Sequence, residues 1–144
     1  MACKVRRATW RAALKDRSGA SALEFAIVGP VFLMMLMGIV AYGGYFWIAH
    51  AVQQVANDSA RVAIGGLTTS ERASLAQGVL SSEISSYAML DAAHANISLQ
   101  DQNQAITVSI AYDASSTPFW SLYKLLPMPS STVVRSATVR LGGY

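Results

Sequence analysis

Arg17-Ser18-Gly19-Ala20-Ser21-Ala22-Leu23-Glu24-Phe25-Ala26-Ile27-Val28-Gly29-Pro30, running on through Val31-Phe32-Leu33-Met34-Met35-Leu36-Met37 to Ile48-Ala49, decides how the chain is read. Phe25 to Ala49 is 25 consecutive residues without a formal charge. About 20 apolar residues carry a helix across a bilayer, so this run is long enough with some tilt. Glu24 stands at its mouth, and a carboxylate there costs roughly 2.5–3.5 kcal/mol if carried to the bilayer centre, which makes it a functional candidate. Small residues precede it, with Gly19 five positions back.

The composition agrees with a membrane segment joined to one small domain. Of the 144 residues, 53% are hydrophobic and 13% charged, an oilier balance than soluble domains carry. Lys4, Arg6, Arg7, Arg11, Lys15 and Arg17 lie before the span against one acid, Asp16. By the positive-inside rule that end stays in the cytoplasm and the C-terminal part is translocated. The net charge of +3 is thus a topology signal and not a nucleic-acid footprint. Cys3, the sole cysteine, lies in the basic leader, so the exported part is held by packing without disulfides.

Within the span, Pro30 removes one backbone donor and predicts a bend. Gly29, Gly38, Gly43 and Gly44 leave flat faces for a close neighbour, and Tyr42, Tyr45, Phe46 and Trp47 gather where an outer aromatic belt belongs. The helix is expected to continue past the span. Ile48, Ala51, Val52, Val55, Ser59, Val62 and Ala63 form an apolar stripe opposite Gln53, Gln54, Asn57, Asp58 and Arg61, and Asp58 is within one turn of Arg61. Gly65-Gly66 ends it, giving a helix of roughly 65 Å from Ala20 to Ile64 at 1.5 Å per residue.

Thr68-Thr69-Ser70-Glu71 reads as a capping box opening a second helix, with Leu75, Val79, Leu80, Ile84 and Tyr87 on one face and an end near Met89-Leu90. The period then falls to two. Ile97 and Leu99 mark a short strand, and Ile106, Val108, Ile110 and Tyr112 a longer one, joined through Asp101-Gln102-Asn103-Gln104. A last strand over Thr132–Leu141 has Val133, Ala137, Val139 and Leu141 on one face with Arg135 out of phase. The expected class is α+β: a long N-terminal transmembrane helix, a second helix, and an antiparallel sheet of about three strands. The expected organisation is a leader over 1–19, a transmembrane helix over 20–49, and a periplasmic helix extension and head over 50–144. Between the last two strands, prolines frame an apolar, aromatic loop (117–129) with one charge, Lys124; it either covers the sheet or offers a patch to a partner subunit or membrane surface.

Gly19, four small or apolar residues, then Glu24 and an aromatic resembles the processing site of type IV pilin-like precursors. The form Arg17-Ser18-Gly19-Ala20-Ser21-Ala22-Leu23-Glu24-Phe25-Ala26 is most similar to TadE-like pseudopilins of tight-adherence pilus systems. The Thr117-Pro118 loop and the closing strand with Arg135 and Arg140 add weaker support. The resemblance implies cleavage by an aspartate prepilin peptidase between Gly19 and Ala20, with Glu24 and Phe25 serving peptidase recognition and subunit register. It also implies sister pseudopilins and pilus subunits, an inner-membrane assembly platform and the lipid bilayer as partners, and a single pass through a bacterial inner membrane. Phe25 stands where the major subunit usually has tyrosine, and the chain is longer than that subunit, so a minor pseudopilin is the closer expectation.

Physical logic supports the same pattern. Gly19 has no side chain, so its backbone can lie close in a protease cleft. Cutting after it removes six basic residues and exposes an amine on Ala20, one turn from the Glu24 carboxylate at the positive end of the helix dipole. Two alternatives stand beside this reading: an unprocessed single-pass periplasmic protein with an interaction role, and a secretory signal cut after Ala49-His50-Ala51. An enzyme is not expected, nor a cofactor or metal: His50 and His94 lack ligand-spaced companions, the serines lack a nucleophile elbow, and Gly65-Gly66 lacks the phosphate-loop lysine.

Overall fold

The computed structural model describes residues 17–142. Of the expected basic leader over 1–19, residues 1–16, with Cys3, lie outside the described residues. The described residues divide into two units, with the boundary between Met37 and Gly38. Helix α1 (Arg17–Ala63) is followed by α2 (Thr69–Ile84), a 3-10 turn (Ala92–His94), β1 (Ala95–Gln102), β2 (Ala105–Asp113), a second 3-10 helix (Pro118–Lys124) and β3 (Thr132–Arg140). This is the expected α+β order.

In the first unit α1 is bare. Leu23, Phe25, Ile27, Val28 and Val31 through Met37 are all exposed large hydrophobics, and the helix passes Pro30 without a break in its assignment. An uncovered apolar face of this length is uphill in water and matches a lipid environment. The helix is long and apolar enough to cross a membrane.

In the second unit the rest of α1 buries one face, beginning at Ala41 and continuing through Ile48, Val52, Val55, Ala56, Ser59, Ala60 and Ala63. Val62, expected in this stripe, is exposed, because the buried face has rotated towards Ala56 and Ala60. Gly65 and Gly66 donate to Val62 O and Ala63 O at 3.1 and 3.2 Å, so α1 ends in tight turns with no left-handed glycine cap. Gly66 is needed for a different reason: a Cβ there would lie 2.7 Å from the Arg72 backbone nitrogen.

The capping box forms with its partner shifted by one residue. Thr68 Oγ1 accepts from Glu71 N at 3.2 Å, while Glu71 Oε2 accepts from Leu67 N at 2.9 Å. Helix α2 then buries Ala76, Leu80 and Ile84 at four-residue spacing, and Leu75 is exposed. It ends at Ile84, short of the expected Met89-Leu90, where Ser85, Ser86 and Tyr87 turn back and Met89 takes a φ of 74°. Short-range turns displaced the helical period there.

The three strands form an antiparallel sheet in the order β1-β2-β3. Ile106, Val108, Ile110 and Tyr112 of the central strand are buried, flanked by Ile97 and Leu99 on one side and Val133 and Ala137 on the other. The hairpin is tighter than the sequence suggested. Asn103 and Gln104 alone make the turn, with φ of 53° and 57°, and Gln102 pairs directly with Ala105. Two successive left-handed residues are the type I′ signature that matches strand twist. Arg135 proves to be in phase with Val133 and Ala137: it is half-buried opposite Ile110. One core joins this sheet face, α2 and the buried face of α1. Each large side chain buried there contributes about 1.5–3 kcal/mol.

Among the described residues Arg72 and Asp101 make the ion pair, and the expected Asp58–Arg61 pair does not form. Arg72 also donates from Nε to Gly66 O at 2.9 Å, so one guanidinium ties the α1–α2 turn to the end of β1.

The candidate processing site and its helix

Gly19, Ala20, Glu24 and Phe25 all lie in the first turns of α1 and are all exposed. The described part of the helix runs from Arg17, so the Gly19–Ala20 bond is helical in this state. A protease that reads an extended strand therefore has to unwind the helix there, and Gly19, with no neighbour within 4 Å of a Cβ position, offers no packing resistance.

Ala20 and Glu24 are four residues apart on a helix, so they stand on one face a single turn from each other. Glu24 has no ion-pair partner among the described residues. A carboxylate on an apolar, uncovered helix can be balanced by an amine one turn away in its own chain or by a cation on a neighbouring helix. Phe25, 77% exposed, lays its ring over Gly29, whose Cβ position is 3.7 Å from Phe25 Cζ. The aromatic and the carboxylate are presented outward together, and the small residues around them leave room for a partner.

Further along, a groove opens between α1 and β3, lined by Gly43, Phe46, Trp47, His50, Gln53 and Arg135. Gln53 Nε2 donates to Ser136 O at 3.0 Å and closes one end. His50 belongs to this groove, whereas His94 packs edge-on to Tyr112 with ring centroids 6.5 Å apart. The structure does not bring the two histidines to one place.

The aromatic segment between β2 and β3 packs on α1 as well as on the core. Trp120 is buried with its ring 6.1 Å from that of Tyr45, Phe119 covers Gly44, and Tyr42 donates its hydroxyl to Pro127 O. A Cβ on Gly44 would come within 2.8 Å of the Phe119 ring. Sequence reasoning noted Gly44 and Tyr42 as parts of a flat face and an aromatic belt. It missed that the chain's own distant segment covers them, since nothing in the local pattern pairs residues about 80 positions apart.

Electrostatics away from the span are mild. Burial and the nearby Asp58 carboxylate push the Glu83 carboxyl above its ordinary value. The same burial, with Glu83 and Asp58, raises Tyr87. Asp113 is lowered by the Ser115 backbone N–H and hydroxyl. None of these groups lies among the helix-start residues Gly19, Ala20, Glu24 and Phe25.

No curated protein and no solved structure matches the chain. A family model does, the one described as TadE-like protein, over residues 19–61. The match begins at Gly19, takes in Glu24 and Phe25, and ends two residues before the last residue of α1. From Gly19 to Arg61, the long helix of this chain is similar to that family.

Proposed function

We propose that the chain is a minor pseudopilin, a structural and assembly component of a Tad-type pilus, made as a membrane-anchored precursor and cleaved after Gly19. The observation that carries this is the coincidence of the TadE-like match with a helix whose stretch from Leu23 to Met37 is bare and apolar and holds Glu24 as its one acid. After cleavage the new amine of Ala20 and the carboxylate of Glu24 form a complementary pair at the cytoplasmic end of the helix. An ion placed in low dielectric without its counterion is costly, so helices that slide out of step lose more than helices in register. The exposed face from Leu23 to Met37 then packs among like helices of sister subunits, with the prepilin peptidase and the inner-membrane platform as transient partners. The head stays on the periplasmic side.

The role is architectural, and the proposed chemistry acts on this chain instead of being performed by it. Glu24→Ala in cells carrying the pilus machinery is expected to leave cleavage intact while abolishing co-purification with sister subunits. Normal assembly of that variant would remove the charge-register mechanism from the account.

A further inference from the structure

The geometry points to a second membrane contact in this chain: the Phe119–Met128 segment lies in the outer interface of the bilayer, with Tyr123 and Leu125 turned into lipid. This rests on the proposed reading of α1 as the membrane span. Its evidence is the place at which the segment is fastened.

Three helix residues hold it. Tyr42 donates to Pro127 O, Gly44 lies beneath Phe119, and Tyr45 meets Trp120 at 6.1 Å. All three belong to the charge-free run Phe25–Ala49. Tyr42, Gly44 and Tyr45 stand four to seven residues before the end of that run at Ala49. A run of 25 residues exceeds the roughly 20 that cross a bilayer. These three residues, with the Phe119 and Pro127 that they hold, therefore belong to its distal margin.

The chemistry of the segment fits that depth. Inside the protein Trp120 is buried and Phe119 half-buried, but Tyr123 and Leu125 are 58% and 68% exposed. Its backbone makes few demands on water: Trp120, Leu125 and Leu126 donate to Thr117 O, Leu122 O and Leu122 O at 2.9–3.0 Å, and Pro118, Pro127 and Pro129 have no N–H to satisfy. Lys124 is the sole charge, with Nζ 6.0 Å from the Tyr123 ring centroid. A long stem lets its ammonium rise to lipid phosphates while the neighbours stay in the acyl boundary. The continuity with the span selects lipid over a protein partner as the occupant.

The test uses the full chain in a Cys3→Ser background, with single cysteines introduced as Leu125→Cys, Met34→Cys and Ser98→Cys. Each is labelled with a small environment-sensitive fluorophore and reconstituted into phosphatidylethanolamine–phosphatidylglycerol vesicles. Nitroxide lipids labelled near the headgroup are expected to quench the position-125 label several-fold more than the position-98 label, and deep nitroxides to quench the position-34 label. Aqueous iodide reaching position 125 as readily as position 98 would overturn the inference, with position 34 still quenched. Protection of position 125 from both quenchers would also overturn it and assign the patch to a protein contact. A position-34 label untouched by deep nitroxides would instead overturn the membrane-span reading itself.

Discussion

Ser59 shows how a single atom can be out of keeping with its surroundings. It is fully buried in the α1 face, and its hydroxyl finds no hydrogen-bond partner among the described residues. An orphaned buried hydroxyl costs about 1–3 kcal/mol, and alanine is also the better helix former. Ser59→Ala is therefore expected to stabilise the head by roughly 1 kcal/mol, read as a raised midpoint in chemical denaturation of the detergent-solubilised chain. Gly44→Ala should act oppositely. Its Cβ would meet three Phe119 ring atoms at 2.8–2.9 Å, so the ring must leave, at about 1–3 kcal/mol. Faster proteolysis at Lys124 would report it, and adding Phe119→Ala should recover part of the loss. Glu83 supplies a pH dependence. Its pKa is raised in the fold, so the folded head binds a proton before the unfolded chain does, and stability rises as pH falls through that raised value. The gain is complete below the ordinary value of 4.5. Glu83→Gln should hence be more stable than the native chain at pH 7, with the advantage gone below pH 4.5; denaturation midpoints at the two pH values check it.

At the scale of elements, period carried most of the information. The long helix, the capped second helix and the three strands were all legible, because each repeats its apolar residues at 3.6 or 2.0 positions. Three of the details that escaped illustrate why. The end of α2 at Ile84 is set by serine-rich turns that override a stripe continuing to Tyr87. The phase of Arg135 was misjudged since a charge on an inner face contradicts the pattern, yet its position opposite Ile110 places it beside the groove on α1. The hairpin turn is Asn103-Gln104 although type I′ turns favour Asn-Gly. Gln104 at φ 57° carries a left-handed penalty of about 1–2 kcal/mol that glycine lacks. Gln104→Gly is expected to stabilise the sheet by roughly 1 kcal/mol without changing register, measured by slower exchange of the β1–β2 amides.

Over the whole molecule, the start of the helix was the part of the candidate site most open to sequence reading, because a lone acid in an apolar run is conspicuous in one dimension. The fastening of residues 119–127 on Tyr42 and Gly44 was not, since only the folded chain brings them together. What the sequence analysis expected of Gly19 gains a physical condition from the structure. The Gly19–Ala20 bond is helical, so the proposed cleavage there would require local unwinding. A bulky side chain at that position should oppose entry into the protease cleft, and Gly19→Trp is expected to leave the precursor uncut. The most direct measurement of the central claim is the N-terminal sequence and intact mass of the chain recovered from membranes of cells with an active prepilin peptidase. The account predicts a chain beginning Ala20-Ser21-Ala22-Leu23-Glu24. Recovery of the full precursor, or of a chain beginning at Val52, would contradict it.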